Sequence, residues 1–539
     1  LNFSERRSFA WLTLGNAFMS LLDIAAYALL LAVVAYYAGA TGKLTAAIES
    51  VARQQPLAPA FLLLLLFVFK NLCAIWIYER QSKYAYAVAT RLSRHQLRVY
   101  LDGPYTDFIT VNASRNLHRI HHQPIEFAHF VLSGFQQLFT ECMLIMLTVV
   151  AILSYQMQLF LVLLALLLPA LWLSYHIVRR RLKKVRAEIQ TDSTQSIQFL
   201  QDALHGYVEA QTFGGKPFFL GRYGKRLAQL ARHLSSLQVV QWVPGRLVEV
   251  FAVAALVLLI ILHRNSSYLI DTISLGAFVA AAYKIIPGLG RIVNTSSLIR
   301  TYGYTATDIE PESAAVASSD ENELGPVESL ELKNVSFFWD ERNVLNDVSL
   351  MIRSGEMLCL SAASGHGKST LLNVLLGFLK PESGSVSING SVVKVDEFSS
   401  LRKRISYQKQ AGFFFEGSLS ENVVLGDAQP DEQRLEAALR ASGWMDILRS
   451  SVSDVHKDLR DQAKNISGGQ RQRLSFARTL YKDADLYIFD EPFSELDEKA
   501  ESELLQQCRS LADSGKMVLL VSHNSRAQEW CDQTIVLNG

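Results

Sequence analysis

Charge is scarce in this sequence. Of its 539 residues, 19% are Asp, Glu, Lys or Arg, against about 25% in soluble domains. That deficit argues against a purely soluble enzyme and against a disordered chain. An excess of one sign is missing too. Lys and Arg number 52 and Asp and Glu 51, so no bulk charge draws the chain to nucleic acid. Cysteine is sparse and scattered: Cys73, Cys142, Cys359, Cys508 and Cys531. The number is odd, the spacings are wide and no CxxC occurs, which argues against a secreted disulfide scaffold and a zinc site. A cleavable signal peptide is not expected either. Arg6 and Arg7 precede an apolar stretch, Phe9 to Tyr37, that is too long for one and has no clear A-x-A site.

What the chain has in abundance is apolar sequence, unevenly placed. Half its residues are hydrophobic, and the long runs all lie before about residue 300. A membrane span needs about 20 mostly apolar residues. Six segments qualify or nearly do: roughly 10–36, 57–78, 130–154, 157–178, 242–262 and 268–290. The last carries Lys284 and a Pro287-Gly288 break. The segment between spans two and three holds Arg80, Lys83, Arg91, Arg94, Arg98, Arg115 and Arg119. The one between spans four and five holds Arg179, Arg180, Arg181, Lys183, Lys184 and Arg186, then Lys216, Arg222, Lys225 and Arg226. The positive-inside rule places both segments and both termini in the cytoplasm. Both have few helix breakers, so spans two to five are expected to continue as helices beyond the bilayer. The hairpins would reverse at Asp102-Gly103-Pro104 with Asn112–Asn116, and at Phe213–Pro217.

Residues 309–327 are acidic, rich in Ser and Ala and poor in large apolar side chains, the composition of a linker. It separates a membrane domain, 1–308, from a nucleotide-binding domain, 328–539. In the latter, short apolar strands alternate with helical patterns, which predicts an α/β fold on a largely parallel sheet. Strand Met357–Leu360 runs into Ala362-Ala363-Ser364-Gly365-His366-Gly367-Lys368-Ser369-Thr370 and then a helix. This is a phosphate-binding loop in its proper context. Gly365 and Gly367 let backbone amides close round phosphates, Lys368 reaches the β- and γ-phosphates, and Ser369 can ligate Mg²⁺. Ala362 replaces the first glycine of the pattern. If that position needed positive φ, alanine would cost on the order of 1 kcal/mol. Downstream, Leu-Tyr-Ile-Phe carries Asp490 toward the Mg²⁺ shell and sets Glu491 to polarise a water.

Between these two motifs lies Ile466-Ser467-Gly468-Gly469-Gln470, then Arg471-Gln472-Arg473. This stretch resembles the signature of ATP-binding-cassette ATPases, with Ile for the usual Leu. The resemblance covers 328–539. It implies that Trp339 stacks on adenine, that Gln410 is the glutamine linking Mg²⁺ to the membrane domain, and that His523 is the switch histidine at the γ-phosphate. It makes Ser494-Glu495-Leu496-Asp497 the D-loop, with Glu for the common Ala. Leu459–Asn465 lacks the Gly-Glu-x-Gly usual in exporters. The implied assembly is a sandwich dimer, with ATP between the P-loop of one chain and Ser467–Gln470 of the other. With six spans and one cassette, the chain resembles an exporter half-transporter of the type IV fold. Both halves of the composite site are present, so a homodimer can build two sites; a heterodimer is the alternative. The implied cofactors are ATP and Mg²⁺, with Ser369, Gln410 and Asp490 round the metal.

A less extensive likeness, to bacterial lipid-linked-oligosaccharide flippases, rests on Tyr100–Tyr105, Phe108, Asn112–Asn116, Phe69-Lys70-Asn71, Ile286-Pro287 and Arg291-Ile292. It implies an inner-membrane flippase for an amphipathic, lipid-linked cargo. A multidrug or peptide exporter is one alternative. A weakly hydrolysing regulatory subunit is another, against which Glu491 and His523 argue. Ionisable residues inside spans are costly and often functional. Asp23, Lys70, Glu141, Arg246, Glu249 and Lys284 are such residues. Lys70, Arg246 and Lys284 are candidates for a headgroup phosphate. The competing expectation is that Lys70 pairs with Asp23 or Glu141 to hold helices together. His121 and His122 look like a metal pair, but adjacent residues diverge on a helix, and a solvated loop is expected there. The hairpin tips, Asn112–Leu117 and Glu209–Phe218, are expected to dock on cassettes near Gln410.

Overall fold

The computed structural model describes residues 2–37, 55–110, 113–155, 191–265, 272–307, 324–339, 342–363, 365–394, 397–450, 458–460 and 463–537, with short pieces between. These fall into two compact units. One comprises Leu1–Gly103 and Ile109–Ala315; the other comprises Pro104–Phe108 and Val316–Gly539.

The first unit is helical. Its long elements are α1 (Phe3–Tyr37), α2 (Ala58–Asp102), α4 (Ser133–Tyr155), α5 (Lys216–Asn265) and α6 (Thr272–Tyr302). Helices Phe3–Tyr37, Ala58–Asp102 and Ala113–Val150 are long and apolar enough to cross a membrane. Most of the expected fourth span, 157–178, lies outside the described residues. At 45 residues α2 outruns a bilayer: an apolar first half passes without interruption into the basic stretch that carries Arg80, Lys83 and Arg91. The second hairpin turns at Phe213–Gly215, where Gly214 takes φ 64°. The expected break at Pro287-Gly288 does not occur, because α6 carries Pro287 inside it. A Cβ on Gly288 would lie 3.1 Å from Glu141 Oε2 and 3.2 Å from Ile145, so this glycine allows α4 and α6 to approach closely. His121 and His122 are exposed but helical, in a π-helical stretch, His118–His122, and not in a loop.

The charges within the spans are mostly paired across helices. Lys70 of α2 lies 2.6 Å from Asp23 of α1, its side chain 7% exposed, with the rings of Phe67 and Tyr27 at 4.6 and 5.1 Å. Arg291 of α6 grips Glu141 of α4 at 2.5 and 3.1 Å. Arg246 and Glu249 pair along the exposed face of α5 at 2.8 Å. The side chain of Lys284 lies outside the described residues.

The second unit is the α/β domain. β1 (Ser329–Trp339) sits between β2 (Arg342–Arg353) and β4 (Ser383–Ile388) in an antiparallel sheet completed by β5 (Ser391–Val392). The central sheet is parallel. It is built from β3 (Met357–Ala362), β6 (Ile405–Gln408), β7 (Leu486–Asp490), β8 (Met517–Val521) and β9 (Gln533–Leu537), in the order β9-β3-β8-β7-β6. Every residue of β7 and β8 is buried, as expected of strands covered on both faces. Between the strands run α7 (Lys368–Leu375), α8 (Gly468–Tyr481) and α9 (Glu498–Asp513). Phe476 of α8 stacks on Phe489 of β7 at 4.9 Å, both fully buried. Each such ring contributes roughly 1.5–3 kcal/mol of burial, and the pair ties the signature helix to the strand that carries Asp490.

One turn from the first hairpin also belongs to this unit. α3 (Tyr105–Thr110) begins with Tyr105, which stacks on Phe378 at 5.1 Å and accepts a 3.5 Å hydrogen bond from Asn373 on its hydroxyl. Arg402 lies over the other partner, Phe378, at 5.3 Å. Ala113–Leu117, further along the same hairpin, belongs to the helical unit, where Ser114 hydrogen-bonds Gln201. The aromatic ring of Tyr105 supplies apolar contact area on both sides, stacking on Phe108 as well at 5.7 Å.

The Lys70–Asp23 pair carries a prediction. Lys70→Met or Asp23→Asn alone leaves one charge without its partner and is expected to cost about 3 kcal/mol. The double variant should recover most of that loss. Thermal melting of the protein in detergent would measure it; additive losses would show that the two do not act as a pair.

Candidate functional site

The order of the central sheet decides where the motifs meet. β8 lies between β3 and β7. Because all three strands are parallel, their C-terminal ends deliver the loop after β3, the residues after Asp490 and the segment Ser522-His523 to one edge. This is where ligands bind in open α/β sheets.

Ala362 ends β3 as a buried strand residue and is not among the residues with positive φ. Alanine therefore carries no conformational penalty here. The left-handed positions are Gly365 (φ 83°) and Gly367 (φ 82°). Gly365 has open space where a Cβ would stand, while at Gly367 a Cβ would lie 2.8 Å from Leu345 and from the Val344 carbonyl. The second glycine is thus demanded by packing as well as by φ. Gly367 is also the N-cap of α7, so the helix directs its free amides and positive end at the loop. His366 and Thr370 are half-buried beside it, Ser369 is exposed, and Ser364 lies outside the described residues. Trp339 closes β1, half-buried, with its ring 5.5 Å from Phe337.

Glu491 is the hub. Its Oε1 lies 2.6 Å from Lys368 Nζ and 3.6 Å from His523 Nδ1, and its Oε2 accepts a 3.2 Å hydrogen bond from Gln410. Its backbone sits at φ 46°, a conformation that costs a non-glycine residue roughly 1–3 kcal/mol. Burial pushes this carboxyl up, but the Lys368 ammonium and His523 outweigh it, and the group lies below its ordinary value. Glu491 is therefore ionised at neutral pH, the form a base requires. Asp490 next to it is buried, and burial raises its pKa despite the 3.3 Å hydrogen bond donated by the Tyr407 hydroxyl. Tyr407 lay in no motif.

The signature sits at the start of α8. Ser467 is its N-cap, and a reciprocal box with Gln470 satisfies two amides: Ser467 N donates to Gln470 Oε1 at 3.0 Å, and Gln470 N to Ser467 Oγ at 3.3 Å. Gly468 and Gly469 follow in the first turn. Asp497 caps α9 by accepting from Ala500 N at 2.8 Å. A chain of side-chain amides, absent from the sequence reading, links these parts. Gln408 at the end of β6 donates to Gln472 of α8 at 3.1 Å, and Gln472 donates to Ser494 of the D-loop at 3.2 Å.

The residues suit a triphosphate with a hard cation. Lys368 already holds an anionic oxygen, and the open side of Gly365 leaves room for backbone to approach a phosphate. Ser369, Gln410 and Asp490 offer oxygen donors. Among the described residues no group of three His, Cys, Asp or Glu could hold a metal alone. One carboxylate shared with phosphates is the usual environment of Mg²⁺.

The family model described as ABC transporter matches residues 345–494. ATP-dependent lipid A-core flippases of Burkholderia pseudomallei and Burkholderia mallei are 30% identical over 417 residues, covering 73% of this chain and 68% of theirs. The chain belongs to the ATP-binding-cassette transporters. A probable ABC transporter ATP-binding/permease protein of Haemophilus influenzae is 29% identical over 347 residues, 62% of each chain. A bacterial Atm1-family ABC exporter with ATP bound shares the fold at a TM-score of 0.80 and 18% identity, over 100% of this chain and 94% of that one. This ABC transporter is therefore a half-transporter of exporter fold, an integral membrane protein whose ATP hydrolysis is coupled to transport.

If Glu491 is the base, Glu491→Gln keeps the size and the contact with Gln410 but loses the charge. Steady-state ATPase should fall about a hundredfold or more, while ATP still binds. Retained turnover in a phosphate-release assay would remove Glu491 from that role.

Proposed function

We propose that the protein is an inner-membrane flippase that moves an amphipathic, lipid-linked glycan out of the cytoplasmic leaflet, working as a homodimer. The observation that carries the cargo is the relationship to lipid A-core flippases over most of both chains. Within this reading, ATP lies on the Gly365–Thr370 loop, with Trp339 against adenine and Lys368 on the terminal phosphates. Mg²⁺, when bound, would neutralise phosphate charge, held by Ser369, Gln410 and Asp490. Glu491 takes the proton of the attacking water, Gln410 orients that water, and His523 steadies the terminal phosphate. Ser467–Gln470 and Asp497 act on the partner chain's nucleotide. The convergence of Gln410, by a hydrogen bond, and His523, by a 3.6 Å charge contact, on Glu491 favours an active ATPase over a regulatory subunit.

In the membrane unit, Arg246 is the cation best placed for a headgroup. It is exposed on α5 beside Trp242 at 5.2 Å, and its ion pair with Glu249 is exposed as well, whereas Lys70 is buried in its pair with Asp23. Tyr105 is the proposed coupling contact, since it is the residue of the first hairpin packed among cassette side chains.

The test is ATPase of the purified full-length chain in lipid nanodiscs. Lipid A-core or another lipid-linked sugar should stimulate it severalfold, with hydrophobic drugs and peptides giving little. The reverse ranking would replace the flippase by a multidrug or peptide exporter. Negligible ATPase of the chain alone would favour a regulatory subunit. Tyr105→Ala should retain basal ATPase and lose most of the stimulation by cargo.

A further inference from the structure

Glu495 stands in the D-loop where the family pattern commonly has alanine, and it presses on the signature. A Cβ built on Gly468 would lie 1.8 Å from Glu495 Oε2, and one on Gly469 would lie 3.1 Å from the Glu495 carbonyl oxygen. The carboxylate therefore lies against the first turn of α8, a helix of 14 residues. Arg471 Nη2 is its counter-charge at 3.7 Å, and Arg471 Nη1 also donates to the Ile466 carbonyl at 3.2 Å. The capping box uses the amides of Ser467 and Gln470. The first-turn amides of Gly468 and Gly469 are the ones beside Glu495. A helix start of this kind favours an anion, and Glu495 already places one there. Its side chain is 49% exposed, so its field is weakened by water but not abolished.

We propose that Glu495 is a specificity-determining residue that sets the ATP concentration at which two cassettes close. Its carboxylate shares the signature with the terminal phosphate of the partner's nucleotide, and the two negative charges repel. The inference rests on the sandwich-dimer reading above. It predicts a penalty that depends on salt, falls on ATP more than on ADP, and grows when Arg471 is neutralised. A role limited to holding α8 in place would show none of these dependences.

The experiment measures ATPase of the full-length protein in nanodiscs against ATP concentration, at low and high salt. Glu495→Gln should lower KM for ATP about fivefold at low salt, the size suited to one half-exposed charge. The maximal rate should hold within about twofold, the KM difference should vanish at high salt, and ADP affinity should not move. Arg471→Gln should raise KM, the opposite direction. An unchanged or raised KM in Glu495→Gln, or a shift indifferent to salt, would overturn the inference. Spin-label distances between two copies separate this from the underlying reading. In Glu491→Gln, ATP should close the cassettes, and adding Glu495→Gln should move the closing midpoint to lower ATP. Closure with an unmoved midpoint overturns the role of Glu495 alone; no closure at any ATP concentration overturns the sandwich dimer with it.

Discussion

The parallel order of β3, β8 and β7 is the constraint on which the nucleotide site depends, and the ion pair between Lys368 and Glu491 is formed through it. The two residues are far apart in the chain, and each reaches the other only because β8 inserts between β3 and β7 with all three strands parallel. Without that order the glycine loop and the acidic strand end would emerge at different places. The pairing also explains why the strained backbone of Glu491 is tolerated. Lys368, Gln410 and His523 approach the same carboxylate from three separate segments. Their combined hold offsets a local cost of roughly 1–3 kcal/mol.

The membrane unit answers a different constraint with the same chemistry. In a low-dielectric interior a lone charge is expensive, and the ones placed within the apolar stretches are largely matched across helices. Lys70 with Asp23 joins α2 to α1, and Arg291 with Glu141 joins α6 to α4. These pairs are cross-ties between segments that apolar side chains alone would leave free to slide, since lipid tails are as apolar as leucine. Gly288 works with the second tie. Having no side chain, it leaves room for the Glu141 carboxylate at the face of α6 that carries Arg291.

How much of this was legible in the sequence depended on whether the information was local. The phosphate loop, Asp490-Glu491 and the signature are contiguous strings whose chemistry follows from their own residues, and they were readable. The helical extension of α2 was readable for the same reason: a run without breakers has few alternatives to a helix. Whether Ala362 is a point of strain stayed open because a pattern does not state which of its glycines carries positive φ; here Gly365 and Gly367 do. Pro287-Gly288 read as a break because proline is costly inside an isolated helix, whereas packing of α6 on α4 keeps it there. Tyr105 was singled out only as part of a loop likeness, without its partners, and Tyr407 and the contacts of the Gln408–Gln472–Ser494 chain had no sequence signal. Their partners lie on elements brought together only by the fold.

The amide chain and Glu495 also bear on how the parts of the cassette communicate. Gln472 touches Gln408 on one side and Ser494 on the other, so the end of β6, the signature helix and the D-loop share one hydrogen-bonded line that runs from two buried glutamines to an exposed serine. Such a line resists independent movement of its members, because separating any one leaves a buried amide without a partner. Glu495 follows Ser494 directly. Its carboxylate is therefore held at Gly468 by a segment that is itself anchored to α8 through Gln472. These bonds join the signature helix to the D-loop on one side and, on the other, to the end of β6, which leads on to Gln410. In this chain the amide line supplies a connection, within a single cassette, between the end of β6, the helix that the signature starts and the D-loop.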